Sequence, residues 1–296
     1  MRPEIKKIEE MMEAADYVTD PAIAMSVHLA MTLKKPLLIE GHAGVGKTEV
    51  AKVMARMLRT SLIRLQCYEG LDAAQALYEW NYPKQLLHIK LEESTTHSLS
   101  EKEAAIFSPP FLIKRPLLQA ISATGAPPVL LIDEIDRADE EFEAFLLEVL
   151  SEFQVTIPEI GTIKATQSPY VILTSNRIRE LSDALRRRCL YLWIDFPGFE
   201  KEIRIVTRKV PGVNERLARE IARFMETART LRLAKMPGVA ETLDWAQALT
   251  SLHADHLEED LVAETLGCVV KDADDVKRLQ RELATGGIGR FVTAQS

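Results

Sequence analysis

Two hydrophobic rhythms divide the chain. Through residue 196, short continuous apolar runs alternate with stretches of helical spacing; beyond Pro197-Gly198 only the helical rhythm remains. Residues 3–33 read as two helices, the second starting at Asp20-Pro21, where Asp can cap and Pro suits the first helical position. Pro36-Leu37-Leu38-Ile39 is a short apolar run that ends in a Gly-rich loop, as a buried parallel strand does. Thr48 to Leu58 follows as a helix, with Val50, Val53, Met54, Met57 and Leu58 on its inner face. Ser61 to Gln66, Val129 to Ile132, Tyr170 to Leu173 and Leu190 to Ile194 supply four more strands. Phe142 to Leu150 is amphipathic, with Phe142, Phe145, Leu146 and Val149 at helical spacing. Gln154 to Ala165, split by Pro158 and Gly161, predicts a hairpin. Gly70 to Leu99 is less regular and reads as an insertion.

Strands alternating with helices predict an α/β class with a parallel sheet covered on both faces. The change of rhythm places a domain boundary at Pro197. An α/β domain then covers residues 1–197, with N-terminal helices at 3–33, the insertion at about 68–99 and the hairpin at about 154–165. A smaller all-helical domain covers 198–296, with turn signals at Pro211-Gly212, Pro237-Gly238 and Gly286-Gly287.

Composition changes this picture little. Apolar residues at 47% and charged ones at 27% suit a soluble globular chain. A net charge of -7 gives no whole-molecule attraction to nucleic acid or to an anionic membrane. Residues 1–10 are charged and lack the apolar core of a secretory signal, and no stretch approaches eighteen apolar residues. Cys67, Cys189 and Cys268 match no metal or disulfide spacing, so a reduced, cytoplasmic location is expected.

The chemistry lies at the ends of the apolar runs. Gly41-His42-Ala43-Gly44-Val45-Gly46-Lys47-Thr48 matches G-x-x-x-x-G-K-[ST] in full. Its glycines let consecutive backbone N–H groups turn inward onto phosphate oxygens, and the helix that follows adds its positive end. Lys47 is expected to reach the β- and γ-phosphates of ATP or GTP, and the Thr48 hydroxyl to bind Mg²⁺. The phosphate-binding set runs on to Glu49, and His42 stands at a variable position of the pattern. Val129-Leu130-Leu131-Ile132-Asp133-Glu134 ends an apolar strand in two acids. There Asp133 would hold Mg²⁺ and Glu134 would polarise the attacking water, because phosphoryl transfer to water needs a positioned carboxylate.

Three weaker signals follow. Leu173-Thr174-Ser175-Asn176 ends another strand, so Asn176 reads as a γ-phosphate sensor against the simpler reading of a turn residue. Arg186-Arg187-Arg188 closes a helix. It is either a solvated, dipole-favoured end or a finger reaching the next subunit's site, with Arg188 first and Arg187 second. The finger reading requires an oligomer. The Arg- and Lys-rich segment from Lys201 to Lys235 lacks interleaved aromatics and reads as an exposed helical face, so no nucleic-acid partner is expected. Asp139-Glu140-Glu141 suits a helix N-terminus. Trp80 and Tyr82 read equally as core anchors or partner contacts.

These motifs, in this order and with a helical segment after them, resemble the AAA+ superfamily and, more specifically, its MoxR family, over roughly Asp20 to Arg290. Tyr78-Glu79-Trp80-Asn81-Tyr82-Pro83 falls where that clade carries an extra helix-2 segment, and Val155 to Ala165 where it carries a pre-sensor hairpin. Tyr78 to Leu87, Phe111 to Leu118 and Ala240-Glu241-Thr242-Leu243-Asp244-Trp245 are most similar to the CoxD-type ATPases. The resemblance implies a ring, expected to be hexameric, that uses Mg-ATP to remodel a client. The client expected is a metalloenzyme, namely a molybdenum hydroxylase such as carbon monoxide dehydrogenase during metal-centre assembly. It further implies a partner with a von Willebrand A domain and possible docking at the inner membrane through that partner. The insertion and hairpin would face the client or the pore. One departure stands out: the sensor-2 arginine of the superfamily is missing from Val239 to Thr242, so Arg232 or Lys235 substitutes, or the lid works without it. Two other readings stay open, a nucleic-acid-directed motor of a restriction-type system and a slow nucleotide-gated assembly scaffold.

Overall fold

The computed structural model describes residues 2–91 and 105–292. Along the chain run α1 (Pro3–Ala14), α2 (Pro21–Leu33), β1 (Leu37–Gly41), α3 (Lys47–Leu58), β2 (Leu62–Gln66), α4 (Ala73–Leu77), β3 (Tyr78–Trp80) and α5 (Tyr82–Leu91). Next come β4 (Leu112–Lys114), α6 (Pro116–Ile121), β5 (Val129–Asp133), α7 (Glu140–Glu152), β6 (Gln154–Ile157), β7 (Gly161–Lys164) and β8 (Tyr170–Ser175). After α8 (Asp183–Arg188) and β9 (Leu190–Ile194) the chain is helical: α9 (Phe199–Lys209), α10 (Glu215–Thr230), α11 (Val239–Ser251), α12 (Glu259–Val269), α13 (Ala273–Gly286) and α14 (Gly289–Val292). Two compact units result. One holds Met1–Met11, Pro21–Glu40 and Thr48–Leu192; the other holds Met12–Asp20, Gly41–Lys47 and Trp193–Ser296.

The first unit is built on a five-stranded sheet in the order β2-β5-β8-β1-β9. Strands β1 and β5 are buried at every position, which is why they read as unbroken apolar runs rather than alternating ones. The parallel registers set Gln66 opposite Asp133, Ile132 opposite Leu173 and Glu40 opposite Ser175. The carboxyl ends of four strands are therefore level, and in open parallel sheets that edge is where ligands bind. Leu117, Leu118, Leu130, Ile132, Leu146 and Leu173 belong to the core on which this edge rests. Helix α7 is capped by Asp139, whose carboxylate accepts the Phe142 N–H at 2.8 Å, and Glu140, Glu141 and Glu143 occupy its positive first turn.

The insertion is more regular than its sequence suggests. Asp72 and Gln75 form a capping box at α4, and β3 pairs antiparallel with β4 from Tyr78 opposite Lys114 to Trp80 opposite Leu112. Trp80 is a core residue at 7% exposure, whereas Tyr82 is 60% exposed. Residues 92–99 of the expected insertion lie outside the described residues. The expected hairpin is present as β6 and β7, turned at Gly161 with φ +97°.

In the second unit, helices α9 to α14 share a core that includes Phe224, Trp245 and Phe291. The Phe224 ring lies 4.8 Å from Trp245 and 4.9 Å from Phe291, and the buried indole N–H of Trp245 donates to Thr265 Oγ1 at 2.8 Å. Arg229 is the polar centre of this unit. It donates to both Glu202 carboxylate oxygens at 2.6 and 2.7 Å and to the Pro237 carbonyl at 2.9 Å, and its guanidinium lies over the Phe196 ring. Among the described residues, no helix is long and apolar enough to cross a membrane.

Candidate functional site

The Gly-rich loop closes through its own glycines. Gly44 and Gly46 have φ of +76° and +95°, the left-handed conformation that side-chain-bearing residues avoid, so successive N–H groups can face one concavity. Lys47 is buried, and its ammonium donates to the Gly41 and His42 carbonyls at 2.8 and 2.7 Å. The His42 ring stacks on Phe196 with centroids 4.8 Å apart at 10°, and meets Trp193 in a T-shaped contact with centroids 5.7 Å apart. Val45 is buried and Ala43 is exposed.

The start of α11 lies directly on this loop. The Val239 N–H donates to the Gly44 carbonyl at 2.9 Å, and Glu241 accepts the Gly238 N–H at 2.9 Å. A Cβ at position 238 would stand 2.8 Å from Gly44 Cα and 2.9 Å from the Ala43 carbonyl, so only glycine fits there. Arg232 and Lys235, the expected sensor-2 substitutes, are exposed; the Arg232 carbonyl accepts from Arg278 and the Lys235 N–H donates to Asp275. Thr242 instead bonds Glu202 at 2.7 Å and Arg229 at 3.3 Å.

The first unit brings four of the expected residues together. Thr48, at the start of α3, donates its hydroxyl to Asp133 Oδ1 at 3.0 Å. Thr174 donates to the same oxygen at 2.5 Å and accepts the Glu134 N–H at 2.9 Å. Glu134 sits just past β5 in the left-handed region at φ 56°, an uncommon conformation for a side-chain-bearing residue and one that clusters at functional sites. Its carboxylate takes Asn176 Nδ2 at 3.3 Å on Oε1, and Gln66 Nε2 at 3.1 Å and Arg137 Nε at 2.8 Å on Oε2. A hydroxyl and a carboxylate converging through hard oxygens are a donor set that suits Mg²⁺.

Asp133 is 2% exposed and sequence reading missed the groups that hold it. Arg64 meets Oδ2 through Nε at 2.9 Å and Nη2 at 2.5 Å. Asp136 accepts the Asn176 N–H at 3.0 Å and the Ile178 N–H at 2.9 Å, fastening the turn after β8 to the one after β5. Beside them, burial pushes the Cys67 thiol up to about 12, with the charges of Asp133, Asp136 and Glu134 adding to the effect.

The remaining expected residues lie apart from this cluster. Glu49 turns to Arg56 at 2.8 Å and Lys52 at 3.5 Å on its own helix, so what it can offer a phosphate is its backbone N–H. Arg186 approaches the buried Glu40 at 4.0 Å, and Tyr191 donates its hydroxyl to the same carboxylate at 3.0 Å. Arg187 and Arg188 are exposed at the end of α8, and Arg188 donates to the Leu147 carbonyl at 3.3 Å.

Residues 36–189 match the AAA domain of the dynein-related subfamily. An uncharacterized protein of Staphylococcus epidermidis is 25% identical over 240 residues, covering 79% of this chain and 82% of its own. The denitrification regulatory protein NirQ of Pseudomonas aeruginosa is 23% identical over 214 residues, covering 70% and 72%. In three dimensions, a point mutant of Thermotoga maritima RuvB superposes with a TM-score of 0.51 at 17% identity, over 96% of this chain and 81% of that one, which is a likeness of fold.

Proposed function

Because the chain belongs to the AAA domain family (dynein-related subfamily) and is an ATP-hydrolysing P-loop NTPase, we propose that it is a MoxR-type ATPase that remodels a client protein. The observation that carries the catalytic part is the Glu134 carboxylate, held from β8's end by Asn176 and from β2 by Gln66, one residue beyond the Asp133–Thr48 pair. In this reading the loop N–H groups and Lys47 bind the phosphates. Glu134 orients and deprotonates the lytic water, and Asn176 places that carboxylate and meets the γ-phosphate. Thr48 and Asp133 would hold Mg²⁺, which when bound neutralises developing phosphate charge. Arg188 or Arg187 would complete the site of an adjoining copy in a ring, the usual assembly of AAA+ ATPases.

The client class follows from the CoxD-type stretches, of which Tyr78–Trp80 and Leu112–Lys114 form the β3–β4 pair. On that likeness the client is a molybdenum hydroxylase receiving its metal centre, and the co-worker is a von Willebrand A domain protein in the cytoplasm. A pull-down from the native host tests the reading, comparing Glu134→Gln, which holds ATP, with Lys47→Ala, which does not bind it. Enrichment of a molybdenum hydroxylase subunit with the first alone supports the proposal. Enrichment of nucleases or DNA-bound proteins overturns the client class while leaving the ATP site in place.

A further inference from the structure

Strand β2 is an edge strand, and Arg64 and Gln66, two residues apart, share one of its faces. An exposed arginine on a sheet edge ordinarily serves to discourage pairing with another chain. Arg64 does something more directed. Both Nε and Nη2 close on Asp133 Oδ2, and the same Nη2 meets the Gln66 side-chain oxygen, whose amide in turn holds Glu134. The Asp133 carboxylate is thereby divided: Oδ2 belongs to Arg64, while Oδ1 receives the hydroxyls of Thr48 and Thr174. The side chain of Asp133 is 3% exposed and that of Arg64 51%, so a buried carboxylate is tied to a guanidinium that reaches solvent.

We propose that Arg64 is a positioning residue that sets how tightly the divalent cation is held: it occupies Asp133 Oδ2 and offsets the carboxylate's charge. The inference rests on the reading of Thr48 and Asp133 as the cation-holding pair. A positive charge shared with Oδ2 weakens the field that a cation meets at Oδ1, and it keeps Oδ2 from serving as a second ligand. Both effects favour loose binding and ready release between turnovers. Without Arg64, Asp133 keeps its full charge and both oxygens become available, so the cation binds more tightly. Because Arg64 is half exposed, the electrostatic part of the effect is screened by salt.

The test uses the full chain with ADP bound, Mn²⁺ as the probe and the electron paramagnetic resonance signal of free Mn²⁺ as the readout, so no turnover is involved. Arg64→Ala is expected to tighten Mn²⁺ on the order of tenfold at low salt, with the gain shrinking at high salt as screened charges require. Arg64→Lys should return the affinity toward wild type, because it restores the charge. Arg64→Gln, a second uncharged side chain, should tighten binding as Ala does and guards against a local disturbance of β2. Unchanged or weaker Mn²⁺ binding in both Arg64→Ala and Arg64→Gln overturns the inference. Thr48→Ala separates this from the underlying reading. If it binds Mn²⁺ as wild type does, the cation is not held at Thr48 and the reading itself falls. If it binds weakly while Arg64→Ala is not tightened, only the role of Arg64 falls.

Discussion

Asp136 accepts two backbone N–H groups from the turn after β8, while its Oδ1 has no partner among the described residues. It lies between two residues in the left-handed region, Glu134 at φ 56° and Arg177 at φ 58°, so the carboxylate bridges two strained turns. Asp136→Ala should cost about 1–3 kcal/mol, the loss of two backbone hydrogen bonds to a charged acceptor. It should lower kcat for ATP by displacing Asn176 while leaving KM nearly unchanged, which thermal unfolding and steady-state kinetics would show together. The thiols make a pH prediction. Burial raises the Cys67 and Cys189 thiols to about 12, against 9.0 for a thiol in water. Between those values the folded chain binds more protons than the unfolded one, so stability is complete below about pH 9 and falls as pH rises toward 12. Denaturation midpoints measured from pH 8 to pH 11 should decline, and Cys67→Ala with Cys189→Ala should flatten that decline.

At this scale the sequence was legible where chemistry is contiguous. The run from Gly41 to Thr48 and the pair Asp133-Glu134 each carry their meaning in neighbouring letters. Arg64, Gln66, Thr174 and Asp136 do not, because their relevance depends on strand register, which sets Gln66 opposite Asp133 and brings the turn after β8 to Asp136. Thr174 stands in the same strand-end run as Asn176, two residues before it.

Among elements, buried strands and the 154–165 hairpin were readable from apolar runs and from Pro158 and Gly161. The β3–β4 pairing was not, since three-residue strands some thirty residues apart leave no periodicity to detect. Helix α11 illustrates a function of position rather than of side chain. Its first residues meet the Gly-rich loop through backbone N–H groups, with no arginine in the segment Val239–Thr242. Gly238→Ala should therefore push on Gly44 and Ala43 and weaken ATP binding, measurable by calorimetry, while a melt still shows a folded chain. Arg229→Ala breaks a buried pair that ties α9 to α10 and, through Thr242, to α11; it should destabilise the second unit by about 3–5 kcal/mol.

For the whole molecule, the exposed Arg187 and Arg188 make activity a property of assembly if either acts on a neighbour's nucleotide. Glu134→Gln and a double Arg187→Ala, Arg188→Ala variant should each hydrolyse ATP poorly alone. Mixed, they should regain part of the rate, because a Glu134→Gln copy still offers arginines to a neighbour whose Glu134 is intact. Absence of any recovery in the mixture would place the arginines in a purely local role.

The aromatic contact of His42 has a practical side. Of the three tryptophans, Trp80 and Trp245 are buried in the two cores, whereas Trp193 is 38% exposed and makes a T-shaped contact with the His42 ring of the Gly-rich loop. Indole emission shifts in colour and yield when its surroundings change. Trp193 emission should therefore change when nucleotide occupies the Gly-rich loop, and an ATP titration in a Trp80→Phe, Trp245→Phe background would record it without a label.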